Sequence, residues 1–390
     1  MQPQIPAQTK QSNVSIMSHP SQQPGLSLYL PRLDGLRGIA IALVLVHSLT
    51  LLGQVDSVVS RLVHSFFAFG WAGVQLFFVL SGFLITGILL DTRHRPHYFK
   101  NFYIRRALRI FPLYYATLIA AFIILPGIGH MPDVYQSDAA HQARLWLYLT
   151  NWHTDVGIGF SHYWSLALEE QFYLIWPLVI YFASPRSLLK ISLIVLIAGM
   201  MVRYWMRNNG FPEEAVYIAT PCRVDALTTG SAAAVLMRMP EVYNWIKART
   251  PLLKFIAVAL GVLAITLTGS YGSSLKGQVF GYGVLALFFA LTVLIAATLD
   301  REQVSAPRPA GVLSWKPLRI LGKYSYGMYV FQRQIHVFIG IPLIKQYAST
   351  SLAINIIYVI AASLLTLGLA VISYHLFELP FLRIKNKFVN

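Results

Sequence analysis

The chain has 390 residues, 56% of them hydrophobic and only 12% charged, with a mean hydropathy of +0.57. A soluble globular chain carries about 25% charged residues, so there is too little charge here to cover a water-facing surface, and disorder and coiled coil are excluded with it. The single cysteine, Cys222, rules out an intrachain disulfide framework and a structural cysteine–zinc site. What remains is an all-α, polytopic integral membrane protein organised as one membrane domain. Its 31 Lys and Arg against 15 Asp and Glu give a net charge of +16. In a membrane chain that excess reads first as basic residues gathered in cytoplasmic loops, and no nucleic-acid partner is expected.

In chain order, residues 1–27 are rich in Gln, Ser and Pro and lack an apolar run, so they read as a disordered cytoplasmic tail. Residues 28–383 form the membrane domain, and 384–390 a basic cytoplasmic tail. Ten stretches have about the 20 apolar residues a membrane-spanning helix needs. They lie near 36–53, 71–90, 110–129, 163–183, 188–206, 222–238, 252–270, 278–299, 319–344 and 352–377. Arg223 and Asp225 make the sixth the least apolar. Trp71, Trp164, Trp176 and Trp205 fall near span ends, where an aromatic belt would sit. With ten spans, 23 of the 31 basic residues lie on the side of the termini, 7 on the other side and Arg333 within a span. Both termini are therefore expected to be cytoplasmic, with the lipid bilayer as solvent.

The longest outer loop, 130–162, holds His130, Asp133, Asp138, His141, His153, Asp155 and His162, with Trp146, Tyr148 and Trp152. The aromatics predict a loop folded back on the membrane surface. No tight His-x-x-x-His spacing is present, so no metal is expected.

Ionisable groups inside spans cost about 2.5–3.5 kcal/mol each on insertion scales, which makes the short set of them informative. His47 lies ten residues beyond Arg37, about 15 Å along an ideal helix, and so near mid-bilayer. An imidazole there serves as a base or as a hydrogen-bonded packing residue. Glu169 and its neighbour Glu170 point about 100° apart. Glu169 shares its face with Ser165, Tyr173 and Trp176, as the lining of a cavity would; the alternative is a carboxylate pairing with Arg333 or Arg37. Arg105, Arg106 and Arg109 open the third span, with 105 and 109 stacked on one face. They suit a phosphorylated ligand, whose oxygens match the guanidinium fork, or a basic anchor on lipid phosphates. Asp225, His336, His375 and Glu378 complete the set.

Several segments together resemble the membrane acyltransferase 3 family: Leu33-Asp34-Gly35-Leu36-Arg37-Gly38 on to His47, Phe77-Phe78-Val79-Leu80-Ser81-Gly82-Phe83, Phe102-Tyr103-Ile104-Arg105-Arg106-Ala107-Leu108-Arg109-Ile110-Phe111-Pro112, Trp164-Ser165-Leu166-Ala167-Leu168-Glu169-Glu170-Gln171-Phe172-Tyr173, Arg223-Val224-Asp225-Ala226-Leu227, Ser325-Tyr326-Gly327-Met328-Tyr329 and Glu378-Leu379-Pro380. The resemblance implies an inner-membrane O-acyltransferase of a bacterium. Its donor would be acetyl-CoA or another cytoplasmic acyl-CoA, and its acceptor a hydroxyl of a glycan or small molecule. It assigns His47, Glu169 and Arg37 to catalysis and Arg105, Arg106 and Arg109 to the donor. Ser81, Trp164, Ser165 and Tyr173 are expected to contact substrate. Many members carry a fused periplasmic hydrolase-like domain; any such partner of this chain is expected to be a separate protein. In this chain nine residues separate Arg37 from His47 where the pattern has ten. On an ideal helix that turns the two side chains about 80° apart. Gln332 also stands where many members have a histidine. The expected mechanism is direct attack of a hydroxyl on the thioester, with His47 as base and Glu169 orienting it; acyl-serine chemistry at Ser48, Ser81 or Ser165 is the competitor. The rival class is a transporter or flippase using buried His, Glu and Arg.

Overall fold

The computed structural model describes residues 30–50, 57–129, 132–153, 158–305, 311–346, 352–385 and 388. The expected tail 1–27, most of the tail 384–390, and His130 and Asp155 of the outer loop lie outside the described residues. No β-strand occurs among the described residues. The described residues form ten long helices in chain order: α1 (Pro31–Leu49), α2 (Ala72–Thr92), α3 (Tyr98–Ile119), α4 (Trp164–Phe182), α5 (Pro185–Asn208), α6 (Thr220–Leu236), α7 (Thr250–Thr268), α8 (Tyr282–Ser305), α9 (Lys316–Ile335) and α10 (Leu352–Ser373).

Six of the helical stretches are long and apolar enough to cross a membrane by length and composition, and they contain α2, α3, α5, α7, α8 and α10. The other four fall short for a physical reason. Helix α6 has only 17 residues. Helices α1, α4 and α9 are interrupted by the charged and polar side chains singled out above. The ionisable residues Arg37, His47, Glu169, Glu170 and Arg333 thus sit on helices that need their neighbours to shield them from lipid. The shielding is uneven: the apolar stretch containing α2 is 72% buried and that of α8 67%, whereas α7 is 17% buried and faces outward.

Close backbone approach holds this core together. Helix α1 packs mainly on α9, and α2 on α6. Gly82 of α2 lies against the Leu227 carbonyl of α6, and Gly230 of α6 against the Val79 carbonyl of α2, with no room for a methyl at either. Small residues at such crossings let membrane helices approach through dispersion contacts. Buried ion pairs do the rest. Arg203 of α5 meets Asp225 of α6 at 2.7 Å, both fully buried, so Asp225 is a structural partner. Arg32 meets Asp300 at 2.7 Å, and its backbone N–H donates to the same carboxylate at 2.9 Å.

That second pair moves α1. The sequence places the first span at 36–53; the helix instead runs from Pro31 to Leu49, because Arg32 is drawn into the bundle and Thr50 turns extended. His47 consequently lies in the last turn of α1, not midway along it. The aromatic-belt expectation also fails for three tryptophans. Trp71, Trp164 and Trp176 are buried; the Trp71 indole N–H donates to the Ser270 carbonyl at 3.2 Å and that of Trp176 to the Thr86 hydroxyl at 2.8 Å. Trp205 alone of the four is exposed.

The outer loop packs onto the end of α3. A short helix, Ala139–Trp146, is capped by Asp138. The Tyr114 and Tyr115 hydroxyls of α3 donate to the carbonyls of Leu145 and Trp146 at 2.7 and 3.1 Å, and the Tyr114 ring stacks on Tyr148 with centroids 4.1 Å apart.

Candidate active site

Two cavities lie in the helix core. The first, of about 390 Å³, is lined by Arg37 of α1, Ser81 of α2, Arg105, Arg106 and Arg109 of α3, and Ser165, Glu169 and Tyr173 of α4. Eight of the ten residues singled out in the sequence therefore share one space. A run of apolar side chains along α2, from Leu80 to Ile88, forms its other wall. We call it the inner cavity.

The arginines are held by rings, not by carboxylates. Arg106 lies 5.2 Å from the Tyr173 ring centroid and 5.9 Å from that of Phe102; Arg109 lies 6.0 Å from Tyr326. Cation–π contacts of this kind orient a guanidinium while leaving its N–H edge unspent. Among the described residues no carboxylate pairs with Arg105, Arg106 or Arg109. Arg37 reaches Asp34 only at 3.9 Å, and Arg109 and Arg106 are the cations that act on it. Arg106 and Arg109, three apart on α3, thus join Arg37, whereas the sequence paired 105 with 109. Opposite them the Tyr173 hydroxyl donates to Glu169 at 3.0 Å and contacts the Ser81 hydroxyl. The electrostatic partners of Glu169 are Arg106 and Arg37. Among the described residues the space is a cationic pocket with one carboxylate, Glu169, in its lining.

The second cavity, of about 200 Å³, is lined by His47 and Ser48 of α1, His153 and His162 of the outer loop, Trp71, Trp164, Tyr217, Gln332 and Arg333. We call it the outer cavity. His47 is exposed within it, and the carbonyls of Phe67 and Ala68 and the Arg333 guanidinium are the groups that act on its ring. Gly70 lets the chain pass closely there: a methyl on it would fall 2.9 Å from the His47 Cβ.

Neither Arg37 nor Glu169 reaches His47, since they line the other cavity. The expected carboxylate–imidazole pairing is not formed, and Arg37 in the second turn of α1 and His47 in its last turn line different cavities. The cavities are separated by little. Val74 and Tyr329 line both. The Tyr329 hydroxyl donates to the His162 carbonyl at 2.9 Å and contacts the Ser165 hydroxyl, which closes the wall.

Three residues of this arrangement were not anticipated as site members. His162 and His153 read as loop residues, and Tyr329 as part of a motif without a role. A usable signal was present for His162, which directly precedes Tyr163-Trp164-Ser165. His336, a candidate substitute for the histidine replaced by Gln332, lines neither cavity; it is buried with the Tyr358 hydroxyl 3.4 Å away. His375 lies 3.1 Å from the Tyr324 hydroxyl. No cluster of three or more His, Cys, Asp or Glu suited to a metal occurs among the described residues.

A polytopic helical membrane domain with two polar cavities in its core is the class that fold and site define. Residues 30–375 match the family described as "Acyltransferase domain", and the chain belongs to this acyltransferase 3 family. It is 28% identical to the peptidoglycan O-acetyltransferase OatA of Listeria monocytogenes, over 79% of this chain and 49% of that protein. The putative peptidoglycan O-acetyltransferase YrhL of Bacillus subtilis is also 28% identical, over 90% of this chain and 55% of its own length. The O-acetyltransferase OatA of Staphylococcus aureus strain NCTC 8325 is 28% identical over 90% and 57%. The chain spans about half the length of the curated relatives it matches. No solved structure matches it.

Proposed function

We propose that the protein is a membrane O-acyltransferase, with acetyl as the transferred group. It takes that group from a cytoplasmic acyl-CoA and delivers it to a hydroxyl of a cell-envelope glycan or another small acceptor. The observation that carries this reading is the pair of cavities. A cationic one suits the phosphates of the donor, and one bearing an imidazole suits activation of a hydroxyl, with a single side-chain layer between them. The names of the relatives support acetyl as the group and an envelope glycan as the acceptor. The excess of basic residues on the side of the arginine cavity supports a cytoplasmic opening for it, both termini in the cytoplasm, and placement in a bacterial inner membrane.

Arg37, Arg105, Arg106 and Arg109 hold donor phosphates, and the apolar wall along α2 follows the donor's arm toward Ser165 and Tyr329. An acceptor hydroxyl enters from the outer cavity. Its oxygen forms a C–O bond to the thioester carbon, its proton passes to His47, and the C–S bond breaks; the leaving thiolate takes up that proton and departs as coenzyme A thiol, which returns His47 to its neutral form. A positioned base of this kind contributes roughly 10²–10⁴-fold. Glu169, beside Arg106 and Arg37, balances their charge instead of orienting the base. Ser81 and Ser165 have tyrosine hydroxyls as partners, and Ser165 also meets the His162 carbonyl; among the described residues neither serine hydroxyl hydrogen-bonds an imidazole ring, which favours direct attack.

The test uses sealed inverted membrane vesicles supplied outside with acetyl-CoA labelled in the acetyl group. Label should enter the glycan fraction with one free thiol released per acetyl transferred, and vesicles of native orientation should stay inactive. Accumulation of intact labelled thioester inside the vesicles would replace this reading with a transporter.

A further inference from the structure

One charged group near the site takes no part in the scheme above. Arg223, in the first turn of α6, is fully buried, and its Nε, Nη1 and Nη2 all lack a hydrogen-bond partner. Asp225, two residues on, is already bound to Arg203 at 2.7 Å. Four aromatic rings surround the guanidinium: Tyr282 at 4.3 Å, Tyr217 at 4.9 Å, Trp164 at 5.7 Å and Phe78 at 5.9 Å from its carbon to their centroids. A desolvated cation without an anion is costly, and ring faces return part of that cost. A leucine or methionine would fill the same space at no such cost, so stability alone does not account for the residue.

The rings show what it is placed to do. Phe78 lines the inner cavity; Trp164 and Tyr217 line the outer one. Trp164 and Phe78 meet edge to face with centroids 5.8 Å apart, and Tyr217 lies 4.9 Å from Trp164. A cation is attracted to a ring's face because the quadrupole is negative there. The rings that offer Arg223 their faces keep their edges, with the indole N–H and the phenol O–H, for other partners. Among the described residues neither of those groups makes a hydrogen bond. Two donors on the wall of the outer cavity are therefore held by one cation behind them.

We propose that Arg223 is a positioning residue of the outer cavity. It fixes Trp164 and Tyr217 so that their N–H and O–H edges meet an oxygen-rich acceptor there. The proposal rests on the reading above, in which the acceptor enters the outer cavity and the donor the inner one.

The experiment compares wild type, Arg223→Met and Arg223→Lys, each as the full chain in membrane vesicles. Donor and acceptor KM are measured separately, together with the tryptophan emission of purified protein in lipid discs. Arg223→Met should raise acceptor KM about tenfold with donor KM unchanged. Arg223→Lys, which keeps a cation but not the planar fork, should fall between Arg223→Met and wild type. Arg223→Met should also shift the part of the emission that Trp164→Phe removes from wild type. An unchanged acceptor KM in Arg223→Met, or equal rises in both KM values, overturns the proposal. Where Arg223→Met does not accumulate, an acceptor KM in Arg223→Lys equal to wild type does the same. Should wild type transfer no acyl group at all, the functional reading fails first. The emission shift then still decides whether Arg223 holds Trp164, and its absence overturns the proposal.

Discussion

The two cavities differ in how they are built. The inner one draws most of its charge from one stretch, Arg105 to Arg109 on α3, joined by Arg37 of α1, with Glu169 and Tyr173 one turn apart on α4 facing them. The outer one is assembled from five separate places: the end of α1, Trp71 before α2, the loop around His153 and His162, Tyr217 before α6, and Gln332 and Arg333 on α9. The inner cavity binds through fixed cations; the outer offers an imidazole and unspent donors. A site of the first kind is built to hold an anion, and a site of the second kind to handle a hydroxyl. The separation teaches that a donor and an acceptor can be kept apart until one wall, at Tyr329 and Ser165, is all that divides them.

The sharpest way to break this division of labour is His47→Gln. Glutamine keeps size and hydrogen bonding but takes no proton at neutral pH. Transfer should fall at least about 100-fold while donor KM stays at the wild-type value. His336→Gln and His375→Gln, outside both cavities, should be mild by comparison. If His47→Gln turned over normally, the outer cavity would lose its catalytic assignment, and His162 would be the next histidine to test.

The complementary change lies in the inner cavity. Arg109→Ala should raise donor KM by roughly 10- to 100-fold, the weight of a hydrogen bond to a charged group. Arg109→Lys should recover only part of that, since an ammonium lacks the bidentate fork. Acceptor KM should not move in either variant. Full recovery by lysine would mark the arginines as anchors on lipid phosphate and remove the donor from this cavity.

These two changes also mark what the sequence made legible. The inner cavity was readable because its residues sit at helical spacing within short motifs, so eight of the expected residues meet. The outer cavity was not, because it depends on where helices end. Arg32 pairing with Asp300 shifts α1 by several residues and leaves His47 in its last turn. No local pattern encodes a partner 268 residues away. For the same reason Asp225 read as a site candidate, although Arg203 satisfies it. Three tryptophans read as membrane anchors, although partners from other helices bury them. Span counting placed helices at α1, α4 and α9 even though their charged and polar side chains keep them from being apolar enough to cross a membrane by composition alone.

The wall itself offers a smaller effect. Tyr329→Phe removes the hydroxyl that donates to His162 and contacts Ser165. One hydrogen bond of about 1 kcal/mol corresponds to roughly a fivefold change. It should appear as acceptor-independent hydrolysis of the thioester, with both KM values held. The measurement is thiol release with acceptor withheld. No rise over wild type would mean that Val74 and the surrounding rings seal the wall unaided.

The smallest expected effect concerns how the outer cavity is roofed. Asp138 caps the helix Ala139–Trp146, accepting the His141 backbone N–H at 2.7 Å. That bond, joined by the His141 ring, holds the Asp138 carboxyl below its ordinary range. The sign follows from linkage: a carboxylate whose folded value is depressed adds stability above its unfolded value, and that stability is lost as pH falls through the folded one. The helix is tied to α3 through Leu145 and Trp146, and its chain runs on to Thr150 and His153 on the cavity wall. The protection of amides 139–146 against exchange, with the intrinsic rate at each pH divided out, should therefore fall as pH drops below about 4, where free aspartate protonates. Asp138→Asn, still a good N-cap, should keep its protection across that range; Asp138→Ala should be poorly protected throughout. Donor KM should be the same in all three proteins at neutral pH, because nothing in this loop lines the inner cavity. Wild-type protection that ignores pH would detach the cap from the roof, and a donor KM that followed the Asp138 variants would mean the two cavities are not independent.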